Sequence, residues 1–124
     1  MLLAPAYGVG GTAGGGGSDT SALAVTVPGF AYGAVAKPGT VPVTSENISA
    51  AITGGTGIYT ILWSAVAVTG TWTISNPTGL MTQIITSVGS GLIKSGTFHA
   101  VVSDGVSSVT SATFQVDLEN YGTL

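Results

Sequence analysis

The chain has 124 residues, no cysteine and a formal charge of −3, and only 6% of its side chains are charged. That length fits one domain with a core of its own, and the absence of thiols excludes disulfides and cysteine metal sites. Lys37 and Lys94 are the only cations and there is no arginine, which argues against nucleic acid and against anionic lipid as partners.

Ordinary soluble proteins carry roughly 25% charged residues, so this surface has little to hold copies apart. Either other subunits cover much of it, or it is simply a neutral Thr/Ser-rich β-surface. No apolar run approaches the ~18–20 residues of a membrane span, and no membrane insertion is expected. The opening MLLAPAYGVGG has no basic n-region, and Pro5 and Gly8 break its apolar stretch. It does not read as a secretory signal, so synthesis in a cytoplasm is expected.

Residues 1–20 read as a glycine-rich arm ahead of a domain at 21–124. Seven of the 20 glycines lie there, and such chain has few side chains to bury and is costly to order. Two readings stand side by side: a disordered tail, or an arm that threads an assembly with Met1, Leu2 and Leu3 as its anchor.

Ala22–Val27 is the first expected strand, stopped by Pro28-Gly29. Phe30–Ala36 reads as an irregular edge strand that changes sheets, bounded by the turn Lys37-Pro38-Gly39. Whether residues 28–45 belong to the arm or to the domain is left open. From Glu46 the alternation becomes regular, with Ile48, Ala50 and Ile52 on one face.

The turn Gly54–Gly57 leads into Ile58–Ser64, where Tyr59, Ile61 and Trp63 share a face, and Ala65–Val68 extends that run. Trp72 and Ile74 mark the next strand, closed by Asn76-Pro77-Thr78-Gly79. Met81–Thr86 is another. Ser87–Ser95 reads as a loop, Thr97–Ser103 as a strand, and Asp104-Gly105 as a hairpin turn. The last strand is expected over Val106–Leu118, with Ala112, Phe114, Val116 and Leu118 inward and Thr113, Gln115 and Asp117 outward. No segment keeps a 3.6-residue period, so an all-β antiparallel sandwich of about seven strands follows.

GGTGIYTILWS (residues 54–64), SGTFHAVVSDG (residues 95–105) and the closing alternating strand together resemble bacterial and phage immunoglobulin-like domains. The resemblance covers about residues 22–119. TWTISNPTGLM (residues 71–81) is similar to a region of small phage virion proteins, and a Gly-rich arm before one such domain resembles tail-associated ones. Ile58 stands where that family often has proline, and Phe98 stands near the place of a corner tyrosine. The resemblance implies an Ig-like fold in a virion, with other virion proteins and copies of itself as partners.

Chemistry finds little to work with. His99 is the only histidine. Ser103 lies four strand residues from it, roughly 13 Å at ~3.3 Å per residue, too far for a Ser-His pair. Asp104 is explained by its turn. Asp117 and Glu119 share a face but lack the further oxygens that calcium needs. The N-terminal glycines lack the strand, lysine and helix of a phosphate loop. Trp72 reads as core, because Ile74 shares its face; the other reading is an exposed platform for sugar.

In Ig-like order, the outward residues Thr60, Leu62, His99, Val101, Thr113 and Gln115 form an uncharged, partly apolar patch. That patch reads either as a subunit interface or as a neutral solvent-facing sheet. The expectation is a non-enzymatic virion structural protein without cofactors, in the tail or its tip, with capsid decoration second. The competing class is a module that binds a host-surface glycan or protein through Gly54–Gly57 and Ser87–Ser95.

Overall fold

The structure, a computed structural model, describes residues 22–123. The proposed anchor Met1, Leu2 and Leu3, and the arm they begin, lie outside the described residues. Twelve short strands follow one another: β1 (Ala24–Thr26), β2 (Phe30–Val35), β3 (Val41–Thr44), β4 (Ile48–Ser49), β5 (Ala51–Thr53), β6 (Thr60–Ala67), β7 (Trp72–Ile74), β8 (Met81–Thr82), β9 (Ile84–Val88), β10 (Leu92–Ser103), β11 (Ser108–Thr110) and β12 (Phe114–Asn120).

Several of these are pieces of one run. β3, β4 and β5 form a single interrupted strand along β9 and β8, and the Ala50 N–H bonds the Leu80 carbonyl between the pieces. β11 and β12 both pair with β10. One sheet therefore runs β1, β3–β5, β8–β9, β7, and the other runs β6, β10, β11–β12, β2. That strand order is the immunoglobulin-like sandwich. Counting β1 and β2 as halves of one strand that changes sheets, it has the seven strands expected.

The sheet change occurs at Pro28-Gly29. Proline has no N–H to give a ladder, and the Gly29 carbonyl accepts instead from Gln115 N–H across in β12. β2 then runs parallel to β12, a departure from the all-antiparallel expectation. Residues 28–45 thus belong to the sandwich. At Gly33, β2 passes so close to β3 that a Cβ would strike the Thr44 carbonyl. Glu46 N–H bonds the Tyr32 carbonyl and the Glu46 carboxylate accepts the Tyr32 N–H, closing this side of the sandwich.

Three other expectations are corrected. Ser87–Ser95 is not a loop: β9 continues to Val88 and β10 begins at Leu92, leaving only a tight turn at Gly89–Gly91. Gly96 sits inside β10 because Val68, Trp72 and Phe98 occupy the place of its side chain. Ala112 does not point inward. The last strand is broken at residues 111–113, where the register against β10 slips by one residue. Ser111 is buried there instead, taking the Ala100 N–H on its hydroxyl and giving its own proton to the Ala112 carbonyl. Met81–Thr86 is likewise split at Gln83 and runs on to Val88.

The core lies between the sheets. Trp63, Phe98 and Phe114 form its centre, with Trp63 edge-on to Phe114 at 5.9 Å and Trp72 edge-on to Phe98 at 5.5 Å. Val43, Ile48, Ile84, Val88, Val102, Val116 and Leu118 fill in around them, each fully buried. Burying a side chain of this size is worth about 1.5–3 kcal/mol, and strand alternation is what delivers these side chains to one face.

Candidate functional site

The patch read from the sequence is the outer face of the β6–β10–β11/β12–β2 sheet. Leu62 and Val101 are direct cross-strand partners, Thr60 lies opposite Ser103, and His99 lies opposite Ser64. Gln115 pairs with Thr97 on one side and Phe30 on the other. Thr113 is exposed but falls in the break between β11 and β12, outside the ladder. Leu62 and Phe30 are each about half exposed, 51% and 49%. The structure therefore gathers five of the six expected residues on one ladder and sets the sixth at its margin.

Carboxylates enter this face only toward one end, and neutral donors hold them there. The Tyr32 hydroxyl donates to Glu119 Oε1 at 2.8 Å, so the Tyr121 hydroxyl donates to the Tyr32 oxygen, also at 2.8 Å. That chain pushes the Tyr32 phenol above its ordinary range, first through Tyr121 and then through Glu119. Asp117 accepts from the Gln115 amide. No three His, Asp or Glu side chains among the described residues gather to hold a metal.

Outside the other sheet, a shallow groove of about 410 Å³ runs between Pro42, Thr73, Ile85 and Ser87, with Lys94 at its margin. It offers hydroxyls and one ammonium, without a carboxylate or imidazole for acid–base work. Trp72 packs edge-on against Phe98 and gives its indole N–H to the Thr69 carbonyl. It is half-buried and packs against the core, on the side its parity implied.

A second feature escaped the sequence reading. The Gly54–Gly57 turn and the Asp104–Ser107 turn are tied together at one end of the sandwich. Asp104 Oδ1 accepts the N–H groups of Val106 and Ser107, Oδ2 accepts that of Thr56, and the Thr56 hydroxyl bonds the Asp104 carbonyl. These fixed loops hold up Ile58, 80% exposed, and Val106, 83% exposed. The available signal was that each follows a positive-φ glycine, Gly57 or Gly105, at a point where strand alternation has stopped.

The hydrogen bonds from Ser107, Val106 and Thr56 hold the Asp104 carboxyl below its ordinary value, against a smaller opposing effect of burial. A depressed folded pKa adds stability that is complete above the unfolded value, 3.8, and is lost as pH falls through the folded one. Asp104→Asn should therefore melt lower than wild type at pH 7, with the gap in Tm narrowing toward pH 2. A gap that stays constant across that range in a thermal denaturation series would rule the account out.

The strand order defines a single Ig-like sandwich domain, and the part of its outer face around Leu62 and Val101 is uncharged. No family model matches the chain, and no curated protein does. Among solved structures it is similar to the M1 domain from titin, at 15% identity over 84% of this chain and 99% of that one, with a TM-score of 0.34. It is also similar to a conjugative transposon lipoprotein from Bacteroides eggerthii, at 19% identity over 76% of this chain and 95% of that one, with a TM-score of 0.38.

Proposed function

We propose that this chain is a non-enzymatic structural subunit of a phage-type particle, located in the tail or tail tip. It is an Ig-like domain whose N-terminal arm anchors it in the assembly. The observation that supports this most is the outer sheet face, where Leu62 and Val101 lie side by side among Thr60, Ser64, His99 and Gln115, with no charge between them. A patch of this kind marks a surface that another protein covers. The sequence resemblance to small virion proteins supplies the setting, and decoration of a capsid is the second location.

Deleting residues 1–20 tests the reading. The truncated protein should keep the circular dichroism and melting transition of the full chain, because the core around Trp63, Phe98 and Phe114 lies within residues 22–123, yet should be absent from purified particles. Incorporation at the normal level would remove the arm from the mechanism.

A further inference from the structure

Two phenols and a carboxylate form one hydrogen-bonded chain where β2 runs beside the end of β12. Glu119 and Tyr121 are two residues apart, so both leave the same face of the extended chain. Tyr32 reaches them from β2: its hydroxyl donates to Glu119 Oε1 at 2.8 Å and accepts from the Tyr121 hydroxyl at 2.8 Å. The backbone under both rings is fixed. Tyr32 exchanges two hydrogen bonds with Glu46, and the Tyr121 N–H bonds the Val35 carbonyl. Solvent reaches the pair, because Tyr121 is more than half exposed and Tyr32 is half-buried.

We propose that Tyr32 and Tyr121 are a site of oxidative crosslinking, coupled ring to ring as an intramolecular dityrosine by a one-electron oxidant, a peroxidase acting with hydrogen peroxide. Each phenol gives up one electron and its hydroxyl proton, that of Tyr32 to Glu119 Oε1 and that of Tyr121 to solvent. The two tyrosyl radicals pair their spins in a new bond between ring carbons ortho to the hydroxyls. The hydrogen on each of those carbons then leaves as a proton, and each oxygen regains one, which restores both aromatic rings. The net change is the loss of two ring hydrogens; the two electrons and two protons reduce one hydrogen peroxide to two waters.

Three observations carry this. A phenol yields its electron far more readily when its proton has somewhere to go, and Glu119 is within hydrogen-bond distance of it. The same neighbours push the Tyr32 phenol above its ordinary range, so at neutral pH the proton leaves with the electron and not before it. Next, the two hydroxyls of a dityrosine flank the new bond and lie within hydrogen-bond distance of each other, a separation that the structure already holds. Coupling therefore asks the rings to turn and leaves the strands in place. Last, the chain has no cysteine to couple instead, and Tyr59 spends its hydroxyl on the Gly54 carbonyl. The product ties β2 to the end of β12 across 89 positions of sequence, and a crosslink that closes a long loop restricts the unfolded chain most.

The test treats the full chain, at low concentration, with a plant peroxidase and limiting hydrogen peroxide. The monomer should lose the mass of two hydrogens and gain dityrosine fluorescence, and proteolysis should release one peptide pair joined through Tyr32 and Tyr121. Y32F and Y121F should each lose that product, and Y59F should keep it; an unchanged melting temperature verifies that each is folded. E119Q should slow coupling roughly tenfold or more. Its rate should rise with the concentration of buffer base, whereas the wild-type rate should not, a distinction that a merely structural role for Glu119 would not produce. The crosslinked monomer should also unfold at a higher urea concentration than the untreated protein. Crosslinks that form only between molecules, a product that persists in Y32F or Y121F, or E119Q that couples at the wild-type rate would each overturn the proposal. None of these readouts involves particle incorporation, so their failure is separable from failure of the structural role.

Discussion

Trp63→Ala should cost about 4 kcal/mol, near the middle of the range for deleting a buried large aromatic. The side chain is almost wholly buried. Its loss opens a cavity beside Phe114, removes the edge contact at 5.9 Å, and strands a carbonyl, because the indole N–H donates to Gly79 O at 2.7 Å. A loss of that size is a large fraction of the ~5–15 kcal/mol that holds a domain folded. For a domain of this size it lowers Tm by roughly 20 °C. Urea denaturation followed by circular dichroism measures it, and a cost under about 1 kcal/mol would show that the indole does not organise the core. Trp63→Phe should fall between, keeping most of the packing while leaving Gly79 without its donor.

Trp63 also shows how far alternation carries a sequence reading. The inward set Ile48, Ile61, Trp63, Phe98, Val116 and Leu118 follows from period two, because a pleated strand sends alternate side chains to one face. The outward set, from Thr60 and Leu62 to Gln115, follows from the same rule. What alternation cannot show is why Asn76–Gly79 has its shape. Trp63 gives its backbone N–H to Pro77 O and its indole N–H to Gly79 O, so the turn covers part of the free edge of β6. An uncovered sheet edge is a template for unwanted pairing. The sequence marks a strand end there, while the Trp63 indole that bonds Gly79 lies 16 residues earlier.

The misreadings share a physical origin. Gly89 and Gly91 made Ser87–Ser95 read as a loop, but they form only a tight turn, and β9 and β10 run up to it from either side. The Ser111 slip was invisible because one extra residue preserves composition while inverting parity. The tie from Asp104 to Thr56 links residues 48 positions apart, and nothing local announces it. The candidate face was found because it needs only parity and strand order. The apolar tip at Ile58 and Val106 was missed because exposure at a loop tip depends on how neighbouring turns are fixed.

Asn120 closes the far end as Asp104 closes the near one, and its removal should cost about 3 kcal/mol. It continues the inward parity of Val116 and Leu118, yet it is polar and fully buried. Its amide is completely used: Nδ2 donates to Gly39 O and Val88 O, and Oδ1 accepts from Lys37 N–H and Gly122 N–H. Four backbone groups from three segments thus depend on one side chain. Asn120→Ala leaves them without partners at about 1–3 kcal/mol for each that stays buried; opening of the end rehydrates some and limits the total. Asn120→Asp should do no better, since a carboxylate turns acceptor oxygens toward the carbonyls of Gly39 and Val88. Differential scanning calorimetry should show a fall in Tm of roughly 15 °C for the alanine variant. Hydrogen exchange should quicken at Lys37, Gly91 and Gly122, where the Gly91 N–H bonds the Asn120 carbonyl, before it quickens in β6. Exchange rising uniformly across both sheets would mean that Asn120 supports the whole core and not this end.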